Sequence, residues 1–150
     1  MQKILRIDMG AEGGPAVREE PVGNYHGLGG RAMTSTIVSS EVPPLCHPLS
    51  AENKFVIAPG LLGGTPASMT ERVSIGFKSP LTGGIKESNA GGPAGKFIAR
   101  LGYAAIVLEG KPMDENLYKV VINKDGVEVI MDNTLKMMGN YQLVGTVIKE

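Results

Sequence analysis

The sequence predicts an α+β fold of twisted, largely antiparallel or mixed β-sheets with two or three helices. Short runs with strand alternation outnumber helical ones, as in "QKILRID", "RVSIGF" and "LYKVVINKDGVEVIMD". Glycine, proline, asparagine or aspartate bounds most of these runs. The strands follow one another with few helices between them, which argues against a regular βαβ wind.

In chain order, residues 2–8 alternate as a strand, "GAEGGP" turns, and residues 16–22 return as the partner of a hairpin. From Gly27, Leu28, Met33, Ile37 and Val38 fall near helical spacing, and Pro43–Pro44 ends the run. Residues 54–58 form a short buried strand. Residues 71–79 alternate through Val73, Ile75 and Phe77, and residues 83–89 form a second strand across "PLTGG". That pairing places Arg72 and Asn89 near the same end of one hairpin. A helix follows, with Pro93 suited to its first turn and Gly102 to its end. Residues 104–111 form a buried strand. Asp125–Gly126 turns a hairpin over residues 116–132, and residues 138–150 form an amphipathic helix capped by Asn140. No internal repeat is evident. Length predicts one domain over residues 1–150, and a chain that stops inside an amphipathic helix is expected to be a piece of a longer protein.

Composition narrows the class without naming a function. Hydrophobic residues at 42% and charged residues at 20% describe a soluble globular chain. Fifteen basic residues offset fifteen acidic ones, so no charge excess points to nucleic acid or an anionic membrane. No apolar run is long enough to span a bilayer. Cys46 alone cannot staple a fold or cage a metal, and with no secretory leader pattern it fits a reducing cytoplasm. Aromatics are 5% and tryptophan is absent, so part of the stability is expected from a neighbour or a bound ligand.

The glycine-rich centre carries the chemistry. "GLGGRA" meets the loose dinucleotide pattern, yet no strand leads into it and no ribose-binding acid follows, so it reads as a helix start against a sheet. "NAGGPAGKF" lacks the first glycine and the Ser/Thr of a P-loop; an anion site at the helix start survives. "CHP" and His26 complete no ligand set or triad. Arg72 offers a planar fork for phosphate or a polar ring edge. Three functions stay open at this level: an enzyme piece, a nucleotide- or phosphate-binding module without redox chemistry, and a structural interaction domain.

"LSAENKFVIAPGLLGGT", "ERVSIGFKSPLTGGIKESNAGGPAGKF" and "LGYAAIVLEGK" together resemble the N-terminal domain of the tungsten-containing aldehyde:ferredoxin oxidoreductases. The likeness runs from about Lys3 to the last helix. It implies a domain that cradles a tungsten (or molybdenum) ion held by the dithiolenes of two pterins. By the resemblance, Arg72 contacts the pterin system, and Asn89 gives its backbone carbonyl to a magnesium ion joining the pterin phosphates. Ala90, Gly91 and Gly92 complete the implied cofactor-binding set. Glycine there lets main chain approach a flat ligand with no Cβ in the way.

The implied activity is oxidation of aldehydes to carboxylic acids, with electrons passed through a [4Fe–4S] cluster to ferredoxin. The cluster needs four cysteines, so cluster and catalytic residues are expected from the remaining domains of a longer enzyme. This piece alone is expected to be inactive. A homodimer is compatible with the resemblance.

Overall fold

The computed structural model describes residues 2–148. They group into two units, one through residue 112 and one from residue 113. In the first, β1 (Lys3–Asp8) and β2 (Ala16–Pro21) form an antiparallel hairpin, and a 3-10 turn at Gly23–Tyr25 leads to α1 (Gly30–Glu41). β3 (Phe55–Pro59), β4 (Val73–Lys78), β5 (Ile85–Ala90), α2 (Ala94–Arg100) and β6 (Tyr103–Glu109) complete it. The strands make one mixed sheet in the order β2-β1-β6-β3-β4-β5, with β6 parallel to β1 and antiparallel to β3. The expected α+β class and each expected strand are present.

α1 lies on this sheet because its apolar positions recur at helical period: Met33, Thr34, Ile37 and Val38 are buried. Met33, Ile37 and Val38 meet Ile4, Val56, Ala58, Ala105 and Val107 in one cluster, which also takes in Cys46. The approach is close at Gly76, where a Cβ would lie 2.6 Å from that of Thr34. Pro43 and Pro44 follow the end of α1 as expected. Pro93 stands at the N-cap of α2, one position before its first turn, and Gly102 takes a left-handed φ of 89° just past its end.

One feature has no counterpart in the sequence patterns. Arg6 on β1 is 5% exposed and binds Glu41 through both terminal nitrogens, at 2.7 and 2.8 Å, and Glu20 at 2.6 Å. Arg18 and Lys54 join through Glu109. Three cations and three carboxylates thus balance at the C-terminal end of α1. Burial pushes the Glu41 carboxyl upward. Hydrogen bonds from Arg6 and Tyr25, with the charges of Arg6 and Lys54, outweigh burial and hold the group at about 2. Its carboxylate would otherwise sit unfavourably at the negative end of the helix dipole.

The second unit holds β7 (Tyr118–Asn123) and β8 (Gly126–Met131) as a hairpin, a 3-10 turn at Asn133–Leu135, and α3 (Asn140–Val147). Two expectations need correction here. Asn140 does not cap α3: Gly139 is the N-cap, in extended backbone, with no side-chain cap bond. The side-chain cap sits on the 3-10 turn, where Asp132 accepts from the Thr134 amide at 3.0 Å. The end of the expected helix, residues 149–150, lies outside the described residues.

The second correction is that the chain does contain a repeat. Adding 110 to the residue number carries β2 onto β8, the turn at Gly23–Tyr25 onto Asn133–Leu135, and the start of α1 onto that of α3. The left-handed residue Gly27 (φ 80°) maps onto Met137 (φ 62°), and the N-cap Gly29 onto Gly139. Even the turn bonds correspond: His26 to Gly23 and Leu28 to Tyr25 in one copy, Lys136 to Asn133 and Met138 to Leu135 in the other. The shorter β7–β8 connection accounts for the different offset of the first strands. Sequence hides the repeat because it preserves backbone conformation rather than residue identity. Between residues 22–38 and 132–148 only Gly29/Gly139 and Thr36/Thr146 are the same residue.

Candidate functional site

The site is built on the β4–β5 hairpin. Its register sets Ser74 opposite Asn89 and Gly76 opposite Glu87, so these residues share the sheet face under α1. Arg72, the residue before β4, donates from Nε to Oδ1 of Asn89. Asn89 in turn donates from Nδ2 to Oγ of Ser74 at 3.0 Å. The hairpin expected from the sequence therefore does bring Arg72 and Asn89 together.

Backbone contacts fix where Arg72 starts. Its carbonyl accepts from the Gly60 amide at 3.3 Å, and a Cβ on Gly95 would stand 2.8 Å from the same oxygen. Glycine at residue 95 thus lets α2 lie directly on the Glu71–Arg72 backbone. Residues 80–94 are exposed apart from the half-buried Glu87.

Among the other residues implied by the resemblance, Ala90 pairs with Val73 and lies on the reverse face of β5 from Asn89. Gly91 and Gly92 lead toward α2. A Cβ on Gly91 would come 3.7 Å from Arg72 Nη1, while Gly92 has a left-handed φ of 99° and open space around it.

Arg72, Asn89 and Ser74 open onto a cavity of about 630 Å³, closed on the far side by Gly30, Ser35 and Thr36 of α1. Two charged residues on its walls were not singled out from the sequence. Glu87 has one carboxylate oxygen, Oε1, buried with no hydrogen-bond partner among the described residues. Its other oxygen lies 3.5 Å from Nε of the exposed Arg31. The alternation in β5 could have found Glu87, since it shares a face with Asn89. Nothing in the sequence places Arg31 across from it.

The remaining motifs take their plainer readings. "GLGGRA" is a helix start against the sheet, with no room for a Cβ on Gly29 beside the Leu61 amide, 2.6 Å away. Cys46 is buried in the core, and His47 accepts from the Leu49 amide at 3.2 Å. Among the described residues no group of three His, Cys, Asp or Glu could hold a metal, and no helix is long and apolar enough to cross a membrane.

Fold and site define a mixed-sheet domain that presents an arginine–asparagine pair to an open cavity, with exposed glycine backbone following the same strand. The family model for the N-terminal domain of aldehyde ferredoxin oxidoreductase matches residues 4–150. The chain is 40% identical over 102 residues to the tungsten-containing aldehyde ferredoxin oxidoreductase of Pyrococcus furiosus, covering 68% of this chain and 16% of that one. It is 36% identical over 130 residues to the enzyme of that name from Pyrococcus horikoshii, covering 85% and 21%. The fold superposes on the active-site complex BamBC of benzoyl coenzyme A reductase, solved with 1,5-dienoyl-CoA, with a TM-score of 0.85 and 30% identity over 98% of this chain and 22% of that one. The chain belongs to the aldehyde ferredoxin oxidoreductase family and corresponds to its N-terminal domain. It spans about a fifth or less of the length of the curated relatives described above.

Proposed function

We propose that this chain is the N-terminal part of a longer oxidoreductase and forms one wall of the site for a tungsten (or molybdenum) ion held by two pterins. The carrying observation is the Arg72–Asn89 pair at the mouth of an open cavity, beside backbone bare of side chains at Gly91 and Gly92. The residues fit such a group. Arg72 supplies a planar donor fork for phosphate or a pterin edge. The unpartnered Glu87 oxygen is an acceptor that a ring N–H could satisfy after a small side-chain rotation. With no protein ligand set of their own, the described residues suit a metal carried by its organic ligand. Asn89 would offer its backbone carbonyl to magnesium, and Ala90 would contribute main chain beside it.

The reaction assigned to the whole enzyme is aldehyde plus water to carboxylic acid, releasing two electrons and two protons. When bound, the metal–pterin group supplies the two-electron redox chemistry. This chain's residues bind and orient the group: Arg72 holds it electrostatically, Ser74 orients Asn89, and α2 locks the Arg72 backbone. A [4Fe–4S] cluster from the remaining domains would pass the electrons to ferredoxin in the cytoplasm, and the enzyme could assemble as a homodimer. The name shared by the curated relatives favours an aldehyde substrate, while the reductase complex solved with a dienoyl-CoA marks the fold as serving another substrate too. The test is elemental and pterin analysis of the full-length protein. Near-stoichiometric tungsten or molybdenum with two pterins per chain is expected; absence of both metals and of pterin overturns the reading.

A further inference from the structure

The first turn of α1 carries a cation that the assignment above leaves unused. Thr34 packs on Gly76, and Gly76 is the register partner of Glu87. Arg31 lies one turn before Thr34, whose hydroxyl donates to the Arg31 carbonyl at 3.2 Å, so α1 brings Arg31 to the edge strand beside Glu87. The contact is loose. Arg31 Nε stands 3.5 Å from Glu87 Oε2 and the arginine side chain is 76% exposed, whereas Arg6 binds Glu20 and Glu41 at 2.6 to 2.8 Å. A charge-assisted bond of full strength closes to about 2.7–2.9 Å. Among the described residues Arg31 has no other ion pair, and Glu87 Oε1 has no hydrogen-bond partner.

Arg31 and Arg72 line the same cavity, one from the helix and one from the hairpin. Arg72 uses Nε on Asn89, and its terminal nitrogens bond nothing among the described residues. Two guanidiniums against the single carboxylate of Glu87 leave the cavity wall with one net positive charge. A planar carboxylate occupies one guanidinium fork, while a tetrahedral phosphate presents oxygens to two forks approaching from different sides. We infer that Arg31 and Arg72 together clamp the phosphate ester of the bound pterin, and that Glu87 opposes closure of the clamp by engaging Arg31. This rests on the cofactor assignment above. When the phosphate enters, Arg31 exchanges its loose Glu87 contact for phosphate oxygens, and ring N–H donors of the same ligand are left to satisfy Glu87. The arginine of "GLGGRA" thereby acts on the ligand, while Gly29 beside it serves packing.

Calorimetric titration of the cofactor-free full-length protein with inorganic phosphate, at fixed ionic strength, tests the clamp. Saturable binding is expected for the wild type. Arg31→Gln should bind phosphate about tenfold more weakly, with an unchanged thermal midpoint because the side chain is exposed. Glu87→Gln should bind it about threefold more tightly, since the opposing contact is gone. A salt bridge that only braces the fold would instead weaken binding in both variants, and that result overturns the proposal. So does wild-type affinity in Arg31→Gln, or no saturable binding by the wild type. Pterin content of the purified full-length proteins keeps the two readings apart. A wild-type protein without pterin defeats the cofactor assignment whatever the titration shows. Wild-type pterin content and wild-type phosphate affinity in Arg31→Gln defeat the clamp alone.

Discussion

Arg72 and Asn89 are joined side chain to side chain across the end of the β4–β5 hairpin, and Ser74 holds Asn89 from the opposite strand. Charge-assisted bonds of this kind set geometry as well as energy. In the full-length protein, Arg72→Ala is expected to lower tungsten and pterin content by about tenfold or more, and Asn89→Ala, which keeps the backbone carbonyl but releases Arg72, to lower it less, with the thermal midpoint of the cofactor-free form nearly unchanged in both. Ser74→Ala, which frees Asn89 to rotate, should give a smaller loss. Wild-type metal content in Arg72→Ala would remove the arginine from the site.

Gly76 and Thr34 make a packing prediction independent of function. A Cβ at residue 76 would sit 2.6 Å from the Thr34 Cβ and 2.8 Å from its Oγ1, so Gly76→Ala must lift α1 off the sheet. The expected cost is about 1–3 kcal/mol in denaturant unfolding. Adding Thr34→Ala should not restore stability, because the Cβ itself is the obstacle. Full rescue by that second change would show that the hydroxyl set the spacing.

The Glu41 cluster predicts acid sensitivity. With the folded-state value near 2 against an ordinary 4.5, the carboxylate contributes stability that is fully present above pH 4.5 and is lost as pH falls toward 2. The shift corresponds to at most about 3 kcal/mol at neutral pH, less what solvent screening removes at this partly exposed carboxyl. Arg6 stays charged throughout this window, its own pKa raised by Glu41, so the loss reflects protonation of the acid. Glu41→Gln should lower stability at pH 7 and flatten its dependence between pH 5 and 2, measured by chemical unfolding at each pH. An unchanged slope in the variant would place the acid sensitivity elsewhere.

Local chemistry made most of the fold legible. The alternation of Val73, Ile75 and Phe77, the "PLTGG" turn and Asp125–Gly126 each act over a few residues, and they place β4, β5, β7 and β8. The Arg72–Asn89 meeting follows from hairpin register alone. What the sequence did not yield depends on contacts between distant segments. The parallel pairing of β1 with β6 joins residues about a hundred apart. The Arg6–Glu41–Glu109 cluster assembles from three elements with no shared motif. Asn140 has the chemistry of a cap, but the backbone turns one residue earlier, at Gly139. The repeat escaped because Met137 replaces Gly27 and Val144 replaces Thr34, keeping conformation and volume while changing the letters.

Three neighbouring glycines should separate by mechanism. Gly95→Ala places a Cβ 2.5 Å from the Glu71 carbonyl oxygen, so it should destabilise the fold and disturb Arg72 with it. At Gly92 the space is open but φ is 99°, so alanine there should cost about 1–2 kcal/mol of backbone strain. Gly91 has neither obstacle: its φ is not left-handed, and a Cβ would make an ordinary 3.7 Å contact with Arg72. Gly91→Ala should therefore leave unfolding stability within about 0.5 kcal/mol of wild type. If bare backbone at this point lies against the pterins, the same variant should still lose metal and pterin from the full-length protein. Retention of both at wild-type levels would mean that the glycine serves the chain and not the ligand.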